Sequence, residues 1–250
     1  MQTLNRSYVL EPFHSLINAC QTNVLLGLRL TEKIETFPGP TAEEIQFFQM
    51  KFGGAPDDLG QSKVRFKRWI LVNGLRDINQ CIGTTLQRFI IFKTIKDEMT
   101  SHSMPHIEER ENQLRDHLRV LHTPALIERT NLLCSTPLAL QKEIESFNRA
   151  RNCLEHAVGN VTRRFCNNPQ KDKLIIFGRR FKIFFKRGEE EVLAQLGKPG
   201  PENAELMLGS ENFEIQFALD QSIELSLKQF LDVLNTCIFV MADIDEKLGA

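Results

Sequence analysis

The stretch that decides the fold is FNRARNCLEHAVGNV, residues 147–161. Up to Val158 its apolar residues keep a helical spacing, and Gly159 is a residue type that commonly ends a helix. After Gly159 the spacing changes to the alternation typical of strands, as in KLIIFGRRFKIFFKRG at residues 173–188. The stretch therefore marks the junction between a helical region and a β-sheet.

Apolar stripes predict four helices before the junction, over residues 11–36, from 41, over 63–98, and from an N-cap at Ser103 to a break near Pro124. Thr136 is the predicted N-cap and Pro137 the first residue of the helix that carries the quoted stretch. A last helix is predicted over residues 227–248, opened by a capping box of Ser226 and Gln229.

The strand-like runs lie between the junction and the last helix. They predict two short strands that turn near Gly178, and further strands at ELMLG (205–209), FEIQFAL (213–219) and SIELSL (222–227). The predicted fold is therefore a mainly α helical bundle with a small antiparallel β insertion before the last helix, α+β overall. Its predicted parts are a bundle over 1–160, a sheet insertion with a basic hairpin over 161–226, and a C-terminal helix over 227–250 that packs back on the bundle.

Composition favours an ordinary globular protein, with 42% hydrophobic and 25% charged residues. The first residues show no signal-peptide pattern, and no apolar run approaches the length of a membrane span, so we expect a cytoplasmic protein with no membrane partner. Six scattered cysteines without a C-x-x-C pair predict reduced core thiols. No pattern predicts a metal site or a cofactor.

Charge is unevenly distributed along the chain. Residues 160–187 carry nine Lys or Arg against one acid, whereas residues 188–250 carry three Lys against thirteen acids. An exposed basic band of this kind attracts phosphate groups. The alternative is that the band docks against the acidic part that follows it, and the sequence does not decide between the two.

Arg151 stands in the apolar stripe of the motif helix. Its neighbours in the stripe are apolar: Leu140, Ile144, Phe147, Leu154 and Val158. Because a guanidinium keeps its charge in a core, its burial without a partner is very costly. Either the stripe opens there onto a cleft or a partner subunit, or an internal carboxylate pairs with Arg151.

His156 lies five residues after Arg151, about 140° away on a regular helix, and four residues after Asn152. The amide of Asn152 can therefore hold one imidazole nitrogen. Arg for phosphate, His for proton transfer and Asn for orientation form a coherent set for phosphodiester chemistry, although a lone Arg and His near a helix end are more often structural.

The run RNCLEH, residues 151–156, resembles the R-x4-6-H motif of HEPN domains, and the wider run resembles a bacterial branch with R-N-C-hydrophobic-x-H-x-x-G-x-V, including Gly159 and Val161. The resemblance implies a helical bundle that forms homodimers through the motif helix. It also implies a metal-independent endoribonuclease that leaves a 2′,3′-cyclic phosphate, often in toxin–antitoxin or antiphage defence systems. His156 would be the acid/base, Arg151 would stabilise the phosphorane, and Asn152 would orient groups.

RNA is the expected partner, together with an antitoxin or another defence protein. The expected nucleic-acid-binding residues are Arg149, Arg163, Arg164, Arg179, Arg180 and Lys182. The alternatives are a non-catalytic binding or assembly module and an accessory RNA-binding subunit of a larger complex. Catalysis requires Arg151 and His156 to be partly exposed in one cleft with no carboxylate neutralising Arg151. A structural role requires a buried arginine paired with an internal acid.

Overall fold

The structure, a computed structural model, describes residues 5–35, 58–98, 104–157, 159–194 and 198–249. Its elements in chain order are α1 (Arg6–Lys33), α2 (Leu59–Glu98), α3 (Met104–Arg119), α4 (Thr123–Leu132), α5 (Gln141–His156), β1 (Lys173–Arg187), β2 (Glu190–Leu193), β3 (Glu205–Ala218) and α6 (Leu227–Gly249). The chain is mainly helical, with a small antiparallel sheet before the last helix, as predicted. The helix predicted from residue 41 and the N-cap predicted at Ser103 lie outside the described residues.

Local capping explains several helix bounds. The Asn5 side-chain oxygen accepts a hydrogen bond from the Tyr8 amide at 2.9 Å, so α1 begins at Arg6 and not at residue 11. The predicted capping box of α6 is confirmed. The Gln229 side chain accepts from the Ser226 amide at 2.8 Å, and the Ser226 hydroxyl accepts from the Gln229 amide at 3.2 Å.

The predicted start of the motif helix α5 is wrong, and its tertiary partners explain why. The helix begins at Gln141, after the Leu140 amide donates to the Asp243 carboxylate of α6 at 3.2 Å. The Thr136 hydroxyl does not cap a helix but accepts from Lys247 Nζ at 2.6 Å. Both contacts come from the end of α6, more than a hundred residues away, which local spacing cannot anticipate.

The sheet has the order β2–β1–β3, and both pairs are antiparallel. The predicted turn at Gly178 is wrong, because β1 runs straight through that residue and pairs with β3 along its whole length. A Cβ at Gly178 would lie 2.2 Å from the Phe213 ring and 2.6 Å from Thr236 Oγ1, so the glycine permits close packing. The chain turns at Gly188, whose φ is +61°.

The other predicted strands also differ from the structure. The runs predicted at 205–209 and 213–219 form one strand, β3, which ends at Ala218, because Gly209 pairs with Lys182 and continues the ladder. Residues 222–227 form no strand beyond an isolated bridge between Ser222 and Asn160.

One hydrophobic core joins the helices to the inner part of the sheet. Phe89, Phe147 and Phe230 are fully buried in it, and they come from α2, α5 and α6. The first half of β1 enters the same core through Leu174 and Ile176. Because α6 contacts α1, α2 and β1, it holds the sheet against the bundle.

The thiols belong to this core. None of the six cysteines forms a disulfide, and all except Cys134 are buried. Burial raises the pKa of Cys20 and of Cys81 to about 12, so both thiols are neutral at physiological pH.

Candidate functional site

The motif helix α5 buries a slightly different stripe from the one the spacing predicts. After Ile144 and Phe147 the buried residues are Ala150 and Cys153, both fully inside the core. Small side chains there let the helix pack closely against its neighbours. Arg151 therefore lies beside the buried stripe and not within it, so its predicted place in the apolar seam is wrong.

Arg151 is about one-third exposed and has two polar partners on its own helix. Its Nη2 lies 2.7 Å from Glu155 Oε2, and its Nη1 donates to Asn152 Oδ1 at 2.9 Å. Neither condition set out for Arg151 is met in full. The arginine is partly exposed, as catalysis requires, but a carboxylate one turn further along the helix pairs with it.

Arg151, Asn152 and His156 line one cleft with a volume of about 970 Å³. Its walls are α2, the corner between α3 and α4, α5, and a 3-10 turn over Arg163–Phe165. His156 is exposed, and the described residues supply no hydrogen-bond partner to its ring. Asn152 does not hold His156 in the described structure: its oxygen accepts from Arg151, and no hydrogen bond joins its amide to the imidazole. The ring is thus available to a ligand in the cleft.

The cleft is strongly cationic. The arginines that line it are Arg76, Arg119, Arg149, Arg151 and Arg164. Glu145 is the one acid among the lining residues, and Glu155 lies at the margin, paired with Arg151 and 3.8 Å from Arg76 Nε. Within the described ranges no carboxylate pairs with Arg119, Arg149 or Arg164. Five guanidinium groups around one open cleft attract a polyanion.

The other expected nucleic-acid-binding residues do not join this cleft. Arg180 pairs with Glu211 at 2.7 Å and with Asp232 at 3.2 Å, and the hydrogen bond that Arg180 donates to Glu211 is the main reason that its pKa is raised. Lys182 Nζ lies 2.6 Å from Glu191.

The remaining two band residues also have neighbours of their own. Arg163 lies 3.8 Å from Asp172, and Arg179 bonds to Asn212 at 3.3 Å. Of the six residues expected to bind RNA, only Arg149 and Arg164 line the cleft.

Several lining residues come from parts of the sequence that show no motif. Arg76 and Asn79 lie on α2, while Arg119 and His122 flank the corner before α4. Asn79 is buried, with 8% of its surface exposed. Its Nδ2 donates to the Phe147 carbonyl at 3.3 Å, which fixes α2 against α5. Spacing gives no signal for these residues, since only the packing of α2, α4 and α5 brings them together.

Among the described residues no group of three or more His, Cys, Asp or Glu side chains is placed to hold a metal ion. Likewise, no helix in that part of the chain is long and apolar enough to cross a membrane. Comparison of the chain with family models, curated proteins and solved structures finds no match. The geometry of the cleft is therefore the basis on which a function is proposed.

Proposed function

We propose that this protein is a HEPN-like endoribonuclease that cleaves RNA in the cationic cleft without a metal ion or cofactor. The observation that carries the proposal is that Arg151 and His156 line one cleft together with four further arginines. A phosphodiester backbone supplies the negative charge that such a cleft attracts. The proposed setting is a cytoplasmic toxin or antiphage defence system, with an antitoxin or defence protein as a partner.

In the proposed reaction the ribose 2′-oxygen attacks the adjacent phosphorus and the bond from phosphorus to the 5′-oxygen breaks. The 2′-hydroxyl loses its proton, the 5′-oxygen gains one, and the products are a 2′,3′-cyclic phosphate and a 5′-hydroxyl. His156 carries out one proton transfer, and Arg151 stabilises the charge on the phosphorane. Asn152 positions Arg151 through the 2.9 Å hydrogen bond. In a homodimer, the same histidine of a second copy supplies the other transfer.

The test is cleavage of end-labelled RNA in EDTA by the wild type, Arg151→Ala and His156→Ala. Loss of an acid/base or of a charge stabiliser lowers cleavage by about 10²–10⁴-fold, so both variants are expected to lose the cyclic-phosphate product. His117→Ala is the matched control, because His117 is exposed on α3 and does not line the cleft. Equal cleavage by all four proteins contradicts the proposal.

A second candidate function is a non-catalytic RNA-binding or assembly module. The ion pair between Arg151 and Glu155 favours it, because the acid occupies the guanidinium that would otherwise contact phosphate. This candidate predicts that the wild type binds RNA and cleaves none, and that Arg151→Ala leaves the affinity within about threefold, as expected for an exposed pair worth under 1 kcal/mol.

A further inference from the structure

The cleft is elongated, and two contacts identify its ends. At one end Arg76 Nε lies 3.8 Å from Glu155 Oε1, next to Arg151 and His156. At the other end Gln87 Nε2 donates to the Leu118 carbonyl at 3.1 Å, where α3 finishes. Eleven residues of α2 separate Arg76 from Gln87, which at 1.5 Å per residue is about 16 Å. The motif therefore occupies one end of a channel and not its centre.

The far end has its own anion-binding groups. Arg119 lines it with no carboxylate partner in the described part of the chain. His122 precedes α4, and its side chain makes no capping hydrogen bond, so the helix N-terminus keeps the backbone N–H groups of Thr123 and Ala125 free, while Pro124 has none. Because His122 and Thr123 both line the cleft, this N-terminus borders the same space as Arg119.

In the middle of the channel, the wall formed by α2 has no side chain; this part of the wall is called the floor. Gly83 lies on α2 between the two ends, and a Cβ added there would meet no atom within 4 Å. Glycine inside a helix is less stable than alanine by roughly 0.5–1 kcal/mol. The packing of the protein does not require this glycine, and the surface of α2 is open to the cleft at this point.

We propose that Arg119, His122 and the start of α4 form a second phosphate subsite, so that one RNA strand runs from the motif across Gly83 to the α3–α4 corner. This inference rests on the proposed function. A stacked strand rises about 3.4 Å per phosphate, so the channel holds up to about five nucleotides. Amide side chains, among them Gln80, Gln87 and Asn148, line the path. Side chains that read RNA bases mostly contact unpaired ones, whose edges are open to hydrogen bonds, so these amides favour single-stranded RNA as the substrate.

The test compares cleavage of single-stranded oligoribonucleotides from the dinucleotide to the octanucleotide. For the wild type, kcat/KM is expected to rise with length and to level off near the pentanucleotide. Arg119→Gln removes one charged contact and is expected to lower kcat/KM for long oligonucleotides about tenfold, mainly through KM, and to lower it much less for the dinucleotide, which does not reach Arg119. Gly83→Gln places a side chain across the floor and is likewise expected to lower kcat/KM for long oligonucleotides.

Gly83→Ala is the matched control for Gly83→Gln, because its single methyl group leaves the channel open. The same set is titrated by fluorescence anisotropy with 2′-deoxy analogues, which bind without being cleaved. Two results overturn the second subsite while the proposed nuclease stands. Either the wild type shows no dependence on length, or the variants lower cleavage of the dinucleotide as much as cleavage of the long oligonucleotides. Length-dependent binding that Arg119→Gln weakens, with no cleavage of any RNA, supports the subsite and overturns the nuclease. Tighter binding of a duplex than of a single strand also overturns the second subsite, which is proposed for a single strand.

Discussion

Two arginine-rich regions of the molecule have opposite surroundings. In the basic band of β1, Arg180 and Lys182 each contact a carboxylate within 3 Å. In the cleft, Arg119 and Arg164 contact none in the described part of the chain. The band contains the higher density of basic residues in the sequence, yet the cleft has the cations that remain available to a ligand. Local charge density in a sequence therefore indicates where cations lie, not whether they are free.

The antiparallel pairing of the sheet explains the difference. It places Arg180 opposite Glu211, and Lys186 and Arg187 opposite Glu191 and Glu190. Cross-strand pairs of opposite charge stabilise a sheet by roughly 0.2–1 kcal/mol each. The acidic part of the chain thus docks on the β1 part of the basic band, one of the two alternatives that the sequence left open, whereas Arg164 of the same band lines the cleft. The cleft is built by helices whose arginines face open space.

The largest expected effect comes from removing the cleft cations. The triple variant Arg119→Gln, Arg149→Gln and Arg164→Gln is expected to lower RNA affinity by about 10³-fold, since each hydrogen bond to a charged group contributes at least about 1.5 kcal/mol. For single-stranded RNA its salt dependence should fall by about two units of slope, at about 0.7 per contact. Fluorescence anisotropy titrations at several salt concentrations measure both quantities.

The matched band variant is Arg163→Gln, Arg179→Gln and Lys182→Gln. Because each of these cations has a polar neighbour of its own and none of the three is among the residues that line the cleft, the variant is expected to change RNA affinity by under about threefold. Circular dichroism melts establish that both triple variants are folded. A larger loss of affinity in the band variant than in the cleft variant would reverse the comparison and place RNA on the sheet.

The sequence predicts the helices well and the site only in part. Apolar spacing located α2 and α6 because each keeps one buried face over many turns, and the junction after His156 follows from Gly159. It could not locate the start of α5, which depends on Asp243, or the straight path of β1 through Gly178. Both depend on contacts between distant segments. Arg76 and Arg119 enter the cleft for the same reason, so no local motif marks them.

A smaller effect is expected at the two glycines. Gly178→Ala forces the Phe213 ring and Thr236 apart and is expected to lower the free energy of unfolding by about 1–3 kcal/mol. Gly83→Ala meets open space and is expected to raise it by roughly 0.5–1 kcal/mol. Urea unfolding with an unchanged m-value measures both. Because RNA is proposed to bind in the cleft, folded Gly178→Ala should keep wild-type affinity, and a loss of affinity there would implicate the sheet.

The smallest effect is expected for Glu155→Gln. Glu155 pairs with Arg151 of the cleft in the way that acids pair with the arginines of the band, and the substitution removes that pair. An exposed i,i+4 pair contributes about 0.3–0.5 kcal/mol, so stability should fall only slightly. Freed from the carboxylate, Arg151 is expected to bind phosphate better and to raise RNA affinity about two- to fivefold, the equivalent of 0.4–1 kcal/mol.

The control is Glu111→Gln, because Glu111 forms the same kind of pair with Arg115 outside the cleft. It should lose similar stability with no gain in affinity. If Glu155→Gln instead weakens RNA binding, Glu155 holds the guanidinium in its working position, and the pair is a part of the site rather than a competitor for it.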